Sequence, residues 1–569
     1  MQYSISYSNP LTHYLEIEVL IKNVDGHHVD LKLPVWRPGR YEAAHYAKNV
    51  QQLHAFSLQN SPLQVIKTAP SQWRIISGEQ PEIRVKYRYY AYQMDAGNSF
   101  LDEGLLYINF INCLVYTDER INMPCEVRLN LPDTYEIACG LRRSGYVLQA
   151  KDYYELVDCP LMASEHQEYY KYTIGSTEFH LWIHGEHPLD TKQVIGEFEK
   201  FSRTQINAMG EFPEKDYHFL LFLLPYKFYH GVEHRNSTVV CIGPAGELKN
   251  DDLYNEFLGV SSHELFHAWN IIKIRPHEMM PYDFGKPVIF PTGFVAEGFT
   301  TYYGDLFLKR SGVFSLKQYC HELDKLFGRH FMNFGRLNNS VTDSSVNLWI
   351  DGYQTSAPHG KSSIYVEGAV IALLLDLQIR SMTNHERSLD DVMKILWVDF
   401  GKTGKGYSYQ DIVNSCEKVS GGPISEFFND YVKGTRDTKS LLQELLSRFG
   451  LNLSFEDNSN RLERTLGIRL VQKEEGYEVI MIEPDAVGEH YFSNNDRIST
   501  INDQPAPEWL ENNTTTRDLN IIVLRNHEKK QITLTIDDRH SYLKIPNVSK
   551  VSSPSMEQHN AFYLWLGDE

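Results

Sequence analysis

HELFHAWNIIKIRP, residues 263–276, decides the reading of this 569-residue chain. Its first five residues, His263-Glu264-Leu265-Phe266-His267, lie inside a helical pattern spanning 256–271. On a helix, positions i and i+4 lie about 40° apart around the axis and roughly 6 Å apart along it. Two imidazoles on one face can therefore share one divalent ion. Glu264, one position round, stands beside that ion, where its carboxylate can take a proton from a water the metal holds. The bland alternative is a solvated helix face with two exposed histidines.

A catalytic zinc site needs a third protein ligand and an open position. Glu297 is the candidate. It lies in FVAEGFT (294–300), thirty residues after His267, at the start of a helical pattern over 295–308 that follows the turn Pro291-Thr292-Gly293. A second helix crossing behind the first would present this carboxylate to the two imidazoles. The alternative is a carboxylate that merely favours its own helix N-terminus. No third histidine follows at the short metzincin spacing, so the arrangement reads as His-His-Glu.

Outward from this centre the chain divides into segments. Residues 1–165 alternate or are rich in β-branched and aromatic residues over 14–21, 29–33, 82–92 and 126–131, and read as an all-β, sandwich-like domain. Residues 166–448 begin with strands near 179–183 and 219–224. They then become helical, over 256–271, 295–308, 316–331, 366–381, 389–400 and 424–432. After Gly450 strand patterns return at 466–471, 477–482, 497–501, 521–525 and 531–536, giving a third, β-rich domain over 455–545 and a tail over 546–569. The fold class is multidomain α+β.

Composition narrows the function. Fifty-five basic against 74 acidic residues leave a net charge of −19, which argues against nucleic acid as a partner. The apolar runs fall far short of the ~20 residues needed to span a bilayer, so no membrane is expected. The start, MQYSISYSNP, lacks the basic and apolar parts of a secretory signal. Seven cysteines, an odd number without a CxxC spacing, read as reduced thiols and point to the cytoplasm.

Four stretches together carry a family resemblance: HELFHAWNIIKIRP (263–276), AEGFTTYYGDLFL (296–308), GVEHRNST (231–238) and WRPGRY (36–41). With them the chain resembles the glycyl aminopeptidase family of metallopeptidases, PDZ-bearing gluzincins with a thermolysin-like, mostly helical catalytic domain. The resemblance implies one Zn²⁺ per chain, held by His263, His267 and Glu297, with Glu264 as general base and acid in attack by zinc-bound water. Glu233, in a strand that looks like the GxMEN strand of related zinc aminopeptidases, would bind the α-amine of a peptide with a free N-terminus. Tyr365 resembles the tyrosine of a YxKG-type motif that stabilises the oxyanion, although Glu367 stands where a lysine is usual. Small first residues, glycine and alanine, are the implied preference. Asp305 is a candidate partner for a ligand histidine, and His359 lies near the same motifs.

In the third domain, Thr465-Leu466-Gly467-Ile468, Pro484-Asp485-Ala486-Val487 and Asn495-Asp496-Arg497-Ile498 resemble segments of a PDZ domain. Such a domain would capture a peptide or a C-terminus by strand addition, or serve as a packing module. Two other functions remain open at this point: a zinc endopeptidase or oligopeptidase of the same fold, and a catalytically silent peptide-binding protein.

Overall fold

A computed structural model describes residues 1–354, 357–512 and 515–568; the expected third domain and tail also run across residues 513–514 and 569, which lie outside the described residues. The N-terminal part is sheet-rich. Tyr14–Lys22 alternates buried and part-exposed side chains along its whole length, as a strand with one face on a core must. It lies inside an eight-stranded sheet, flanked by Gln2–Ser6 and Glu82–Tyr90. A three-stranded and a four-stranded sheet complete this part. The loop Trp36–Tyr41 leaves this core and points at the next one, with Trp36, Arg37 and Tyr41 buried.

A five-stranded sheet follows, in the order Gln167–Ile174, Thr177–His184, Asp216–Leu223, Ser237–Gly243, Phe228–His234. The last of these is the edge, antiparallel to its neighbour with Glu233 opposite Thr238. The helix Asp251–Phe266 packs on this edge. It begins five residues before the expected 256, because the Asn250 side chain accepts the Asp252 N–H and caps it. Its regular part ends at Phe266, with His267 still in right-handed helical conformation as the cap.

The helix Val366–Met382 runs through the middle of the helical core. Its apolar residues surround it on all sides, from Ala369 to Leu377 almost without a break, which is the pattern of a helix buried all round. The helix Leu316–Phe331 matches its expected bounds, set by a capping box of Ser315 with Gln318.

The C-terminal β-rich lobe has its own core, with Ile468, Val479, Ile498, Ile521 and Val523 buried. The expected strand over 466–471 is displaced. Arg461–Leu466 is a helix closed by Gly467 at φ +68°, and the strand is Ile468–Lys473. The chain enters and leaves this lobe through paired antiparallel strands, Leu451–Glu456 and Ile545–Lys550. Beyond them the helix Met556–Leu566 returns to the helical core. Among the described residues, no helix is long and apolar enough to cross a membrane.

Candidate active site

The structure brings His263, His267 and Glu297 together: one ligand-type atom from each lies within 4.8 Å of the others. The two imidazole Nε2 atoms are 3.0 Å apart, and Glu297 Oε2 lies 3.4 Å from the Nε2 of His267 and 4.0 Å from that of His263. Local sequence explains this convergence. Glu297 sits on a π-helical turn, Phe294–Phe299, continuous with the helix Thr300–Arg310. Such wide turns recur at functional sites, where they re-aim a side chain. Gly298 makes the turn possible here: a Cβ on it would lie 2.3 Å from the Cα of Gly368, so two glycines let the backbones touch. The crossing of the two helices that carry these residues is as tight. Ser262 Oγ donates to the Gly304 carbonyl at 2.7 Å, and Gln205 donates to the Ser262 carbonyl at 2.8 Å.

Asn270, a residue the sequence reading passed over, ties the site together. Its backbone carbonyl accepts a 2.8 Å hydrogen bond from Nδ1 of His267. A carbonyl only accepts, so Nδ1 carries a proton and Nε2 is the nitrogen turned to the cluster, able to offer a lone pair once it holds no proton of its own. The Asn270 side-chain amide donates to the carbonyls of Val295 and Ala296 and to Thr300 Oγ1, at 2.8, 3.2 and 3.0 Å. One buried side chain thus joins the end of the histidine helix to the turn that carries Glu297.

Glu233 and Glu264 share a second cluster with His267, again within 4.8 Å. Glu233 Oε1 and Glu264 Oε2 are buried with no hydrogen-bond partner among the described residues. Burial raises both carboxyls, Glu264 well above the ordinary range, with the neighbouring carboxylates adding to it and His267 opposing. Burial works against a charged His267, yet Glu233, Glu297 and Glu264 outweigh it and hold that imidazole up to about 10. Burial pushes His263 well below its ordinary value, and the charged neighbour His267 adds to the effect. Three buried carboxylates against two imidazoles make an electronegative pocket. With two nitrogens and one oxygen converging, the donor set fits a zinc ion.

Tyr365 directly precedes the helix Val366–Met382. Burial, and next the Glu297 carboxylate, hold its phenol protonated, well above its ordinary value. Glu367 turns away from this site, paired with His330 Nδ1 at 2.6 Å. Asp305 makes no hydrogen bond to either cluster histidine among the described residues. His359 Nε2 instead reaches the Ile482 carbonyl of the C-terminal lobe at 2.8 Å.

The N-terminal loop completes the wall. A Cβ on Gly39 would lie 2.5 Å from Glu233 Oε2, so the main chain there presses directly on this carboxylate, in a left-handed turn at φ +77°. The Tyr41 hydroxyl is buried without a partner among the described residues, and the carboxylates of Glu297 and Glu233 act with burial to keep it protonated. The motif WRPGRY was visible in the sequence, but its place at this site was not.

Comparison with known proteins points to a peptidase. Residues 2–165 match the peptidase M61 N-terminal domain, and residues 256–371 match M61 glycyl aminopeptidase. No curated protein matches the chain. The chain is similar to an aminopeptidase N family protein from Idiomarina loihiensis, at 26% identity over 99% of each chain with a TM-score of 0.91. An M1 zinc metallopeptidase mutant from Deinococcus radiodurans, solved with a Tyr-Ser-Ala substrate, is 15% identical over 77% of this chain and 93% of that one, with a TM-score of 0.46. The chain is a metallopeptidase. It carries both M61 segments, and the family resemblance of its motifs is thereby shown.

Proposed function

We propose that the chain is a zinc aminopeptidase that removes small first residues, glycine and alanine, from peptides with a free N-terminus. The observation that carries this reading is Glu233. Its carboxylate shares a cluster with Glu264 and His267, with one oxygen buried and unpartnered among the described residues. A cationic α-amine beside the metal ligands satisfies that oxygen and sets the first peptide bond against the metal.

His263, His267 and Glu297 hold one ion per chain. Zinc bound there supplies Lewis acidity, polarising the scissile carbonyl and lowering the pKa of a water. Glu264 accepts the proton of the attacking water and passes it to the leaving amine. A carboxyl already raised by burial suits a group that must both take and give a proton near neutrality. Tyr365 O–H donates to the oxyanion of the tetrahedral intermediate. The main chain at Gly39, pressed on Glu233, narrows the space around the amine and supports a small first residue.

Residues 1–165 then form the N-terminal domain, 166–448 the catalytic domain and 455–545 a PDZ-like domain, with 546–569 beyond it. The PDZ-like reading is supported by the antiparallel sheet of Ile468–Lys473, Gly476–Ile482, Arg497–Ile501, Asp518–Arg525 and Glu528–Thr535. An edge of that sheet offers a ladder for a peptide ligand. Seven cysteines, all free, support a cytoplasmic setting.

The test is hydrolysis of glycyl and alanyl chromogenic amides with free and acetylated N-termini, together with metal content by mass spectrometry. Wild type should cleave only the free-amine substrates. Glu264→Gln should hold about one zinc and lose roughly 10²–10⁴-fold in kcat. Equal cleavage of acetylated substrates would make the protein an endopeptidase. A protein that neither holds nor takes up zinc would be a peptide-binding one.

A further inference from the structure

The hairpin motif GVEHRNST (231–238) carries three successive residues away from the metal-ligand cluster. Glu233 shares a cluster with Glu264 and His267. It also lines a cavity of about 260 Å³ whose walls include none of His263, Glu264, His267 and Glu297. His234 and Arg37 line that cavity as well. His234 is 5% exposed, and its Nε2 has no partner among the described residues. Arg37 is 4% exposed, and its Nη1 donates to the neighbouring Pro38 carbonyl at 3.0 Å. A carboxylate, an imidazole and a guanidinium thus border one small space.

Arg235, the next residue, stands where this space meets another. With Lys151 and Glu155 it lines both the cavity and a cleft of about 1350 Å³. Exposed Arg142 and Lys215 line the cleft, so it opens to solvent. Arg235 Nη2 lies 3.1 Å from Glu155 Oε1, and its Nη1 lies 3.8 Å from Glu214 Oε1. Lys273, on the cavity side, pairs with Glu214, on the cleft side, at 2.6 Å. Glu155 is held on the N-terminal part by its other oxygen, which accepts the Lys151 N–H at 2.5 Å. Ion pairs between the N-terminal part and the Glu233 hairpin therefore form a neck between cavity and cleft. The Arg235 and Glu155 side chains are 25% and 14% exposed, and partly solvated pairs of long side chains open at little cost.

Hydrolysis of a substrate whose amine sits at Glu233 makes two products. The free amino acid is left at the Glu233 end, with the leaving peptide between it and the side from which the substrate came. The cavity is smaller than the ~300–1,000 Å³ of pockets for drug-sized ligands, so it suits one amino acid and not a peptide. Its carboxylate and guanidinium match the two charges of a zwitterion. We infer that the cavity behind Glu233 is the exit for the released amino acid, which passes the neck of Arg235 and Glu155 into the cleft and so leaves apart from the peptide.

This rests on the aminopeptidase reading, and the experiment separates the two. Arg235→Cys places a thiol at the neck, and reaction with a bulky maleimide fills it. Wild type treated alike controls for the native thiols, six of whose seven are buried. Stopped-flow hydrolysis of a glycyl chromogenic amide is followed before and after labelling, with bound zinc measured in parallel. Unlabelled Arg235→Cys should keep kcat within about threefold of wild type. After labelling, the first turnover should be unchanged, giving a burst of about one leaving amine per site, and later turnovers should slow at least about 10-fold. Radiolabelled glycine should then co-elute with the protein on rapid gel filtration, and zinc should be unchanged.

A labelled enzyme that is not slowed overturns the inference, because the amino acid then leaves by the way the substrate entered. Loss of the first turnover also overturns it, because the label then reaches the reacting groups and the neck is not a separate space. Wild type that cleaves no free-amine substrate sinks the aminopeptidase reading itself, a different result. Should Arg235→Cys not fold, Lys151→Cys carries the label to the same neck from the N-terminal part, with the same expectations.

Discussion

At the residue scale, Asn270 bears on the candidate metal site through two links at once. Its carbonyl fixes the tautomer of His267, and its amide holds the turn that carries Glu297. Asn270→Ala keeps the carbonyl but releases the loop that aims it, and it takes the amide donor away from the carbonyls of Val295 and Ala296. Partners of ligand histidines are typically worth 10–100-fold in metal affinity. A loss of this size, about 10–100-fold in the zinc dissociation constant by chelator competition, is the expected outcome, with circular dichroism unchanged. Unchanged zinc affinity would show that the rest of the crossing suffices to hold the two helices in register. The sequence discloses His263 and His267 because their proximity is a property of one helix. It does not disclose the partner of His267, because that partner is a main-chain oxygen and no side-chain pattern marks it.

At the scale of elements, the helix Thr300–Arg310 carries an acid in an unusual state. Burial, with Glu322 nearby adding to it and Arg329 and Lys325 offsetting part, raises the Asp305 carboxyl from 3.8 to about 7. Between these values the folded protein holds a proton that the unfolded chain has released. Stability therefore falls as pH rises from about 4 to about 7, and the cost is complete above 7. Asp305→Asn removes that slope. The variant should match wild type near pH 4 and exceed it near pH 8 by roughly 1–3 kcal/mol, read from urea unfolding across that range. A difference independent of pH would mean that Asp305 is charged throughout.

The same scale shows which boundaries a sequence reveals. Ser315 and Gln318 announce the helix Leu316–Phe331 by their spacing. Residues 251–255 fall outside the expected 256–271, yet Asn250 caps the helix at this point and the first-turn acids Asp251 and Asp252 favour it. The segment 466–471 reads as one strand because Leu466 and Ile468 are both apolar. Gly467 in left-handed conformation divides it into a helix end and a strand start.

At the scale of the whole molecule, the candidate site and the helical core behind it are assembled from distant parts of the chain. The N-terminal part contributes the loop of Arg37, Gly39 and Tyr41, and the last helix, Met556–Leu566, packs into the helical core. Nothing local in 546–569 announces this, since its partners lie about 90 to 260 residues earlier. Trp565 is 1% exposed, and its Nε1 donates to Tyr302 Oη at 3.0 Å. Tyr302 in turn donates to Asp376 Oδ2 at 2.7 Å, and Asp376 also accepts from Arg380 Nε at 3.0 Å. Tyr302 belongs to the helix that continues from Glu297. Trp565→Ala would remove a large buried ring and leave a cavity beside this network, a change that typically costs 3–5 kcal/mol. Met556, at the start of the same helix, is 89% exposed, so Met556→Ala should change stability by less than about 0.5 kcal/mol. Thermal unfolding of the two variants decides what the segment is. A large loss for Trp565→Ala beside no loss for Met556→Ala makes the last helix a structural member of the metallopeptidase core. Two small losses would make it a detachable tail, and the catalytic helices would then have to hold their geometry without it.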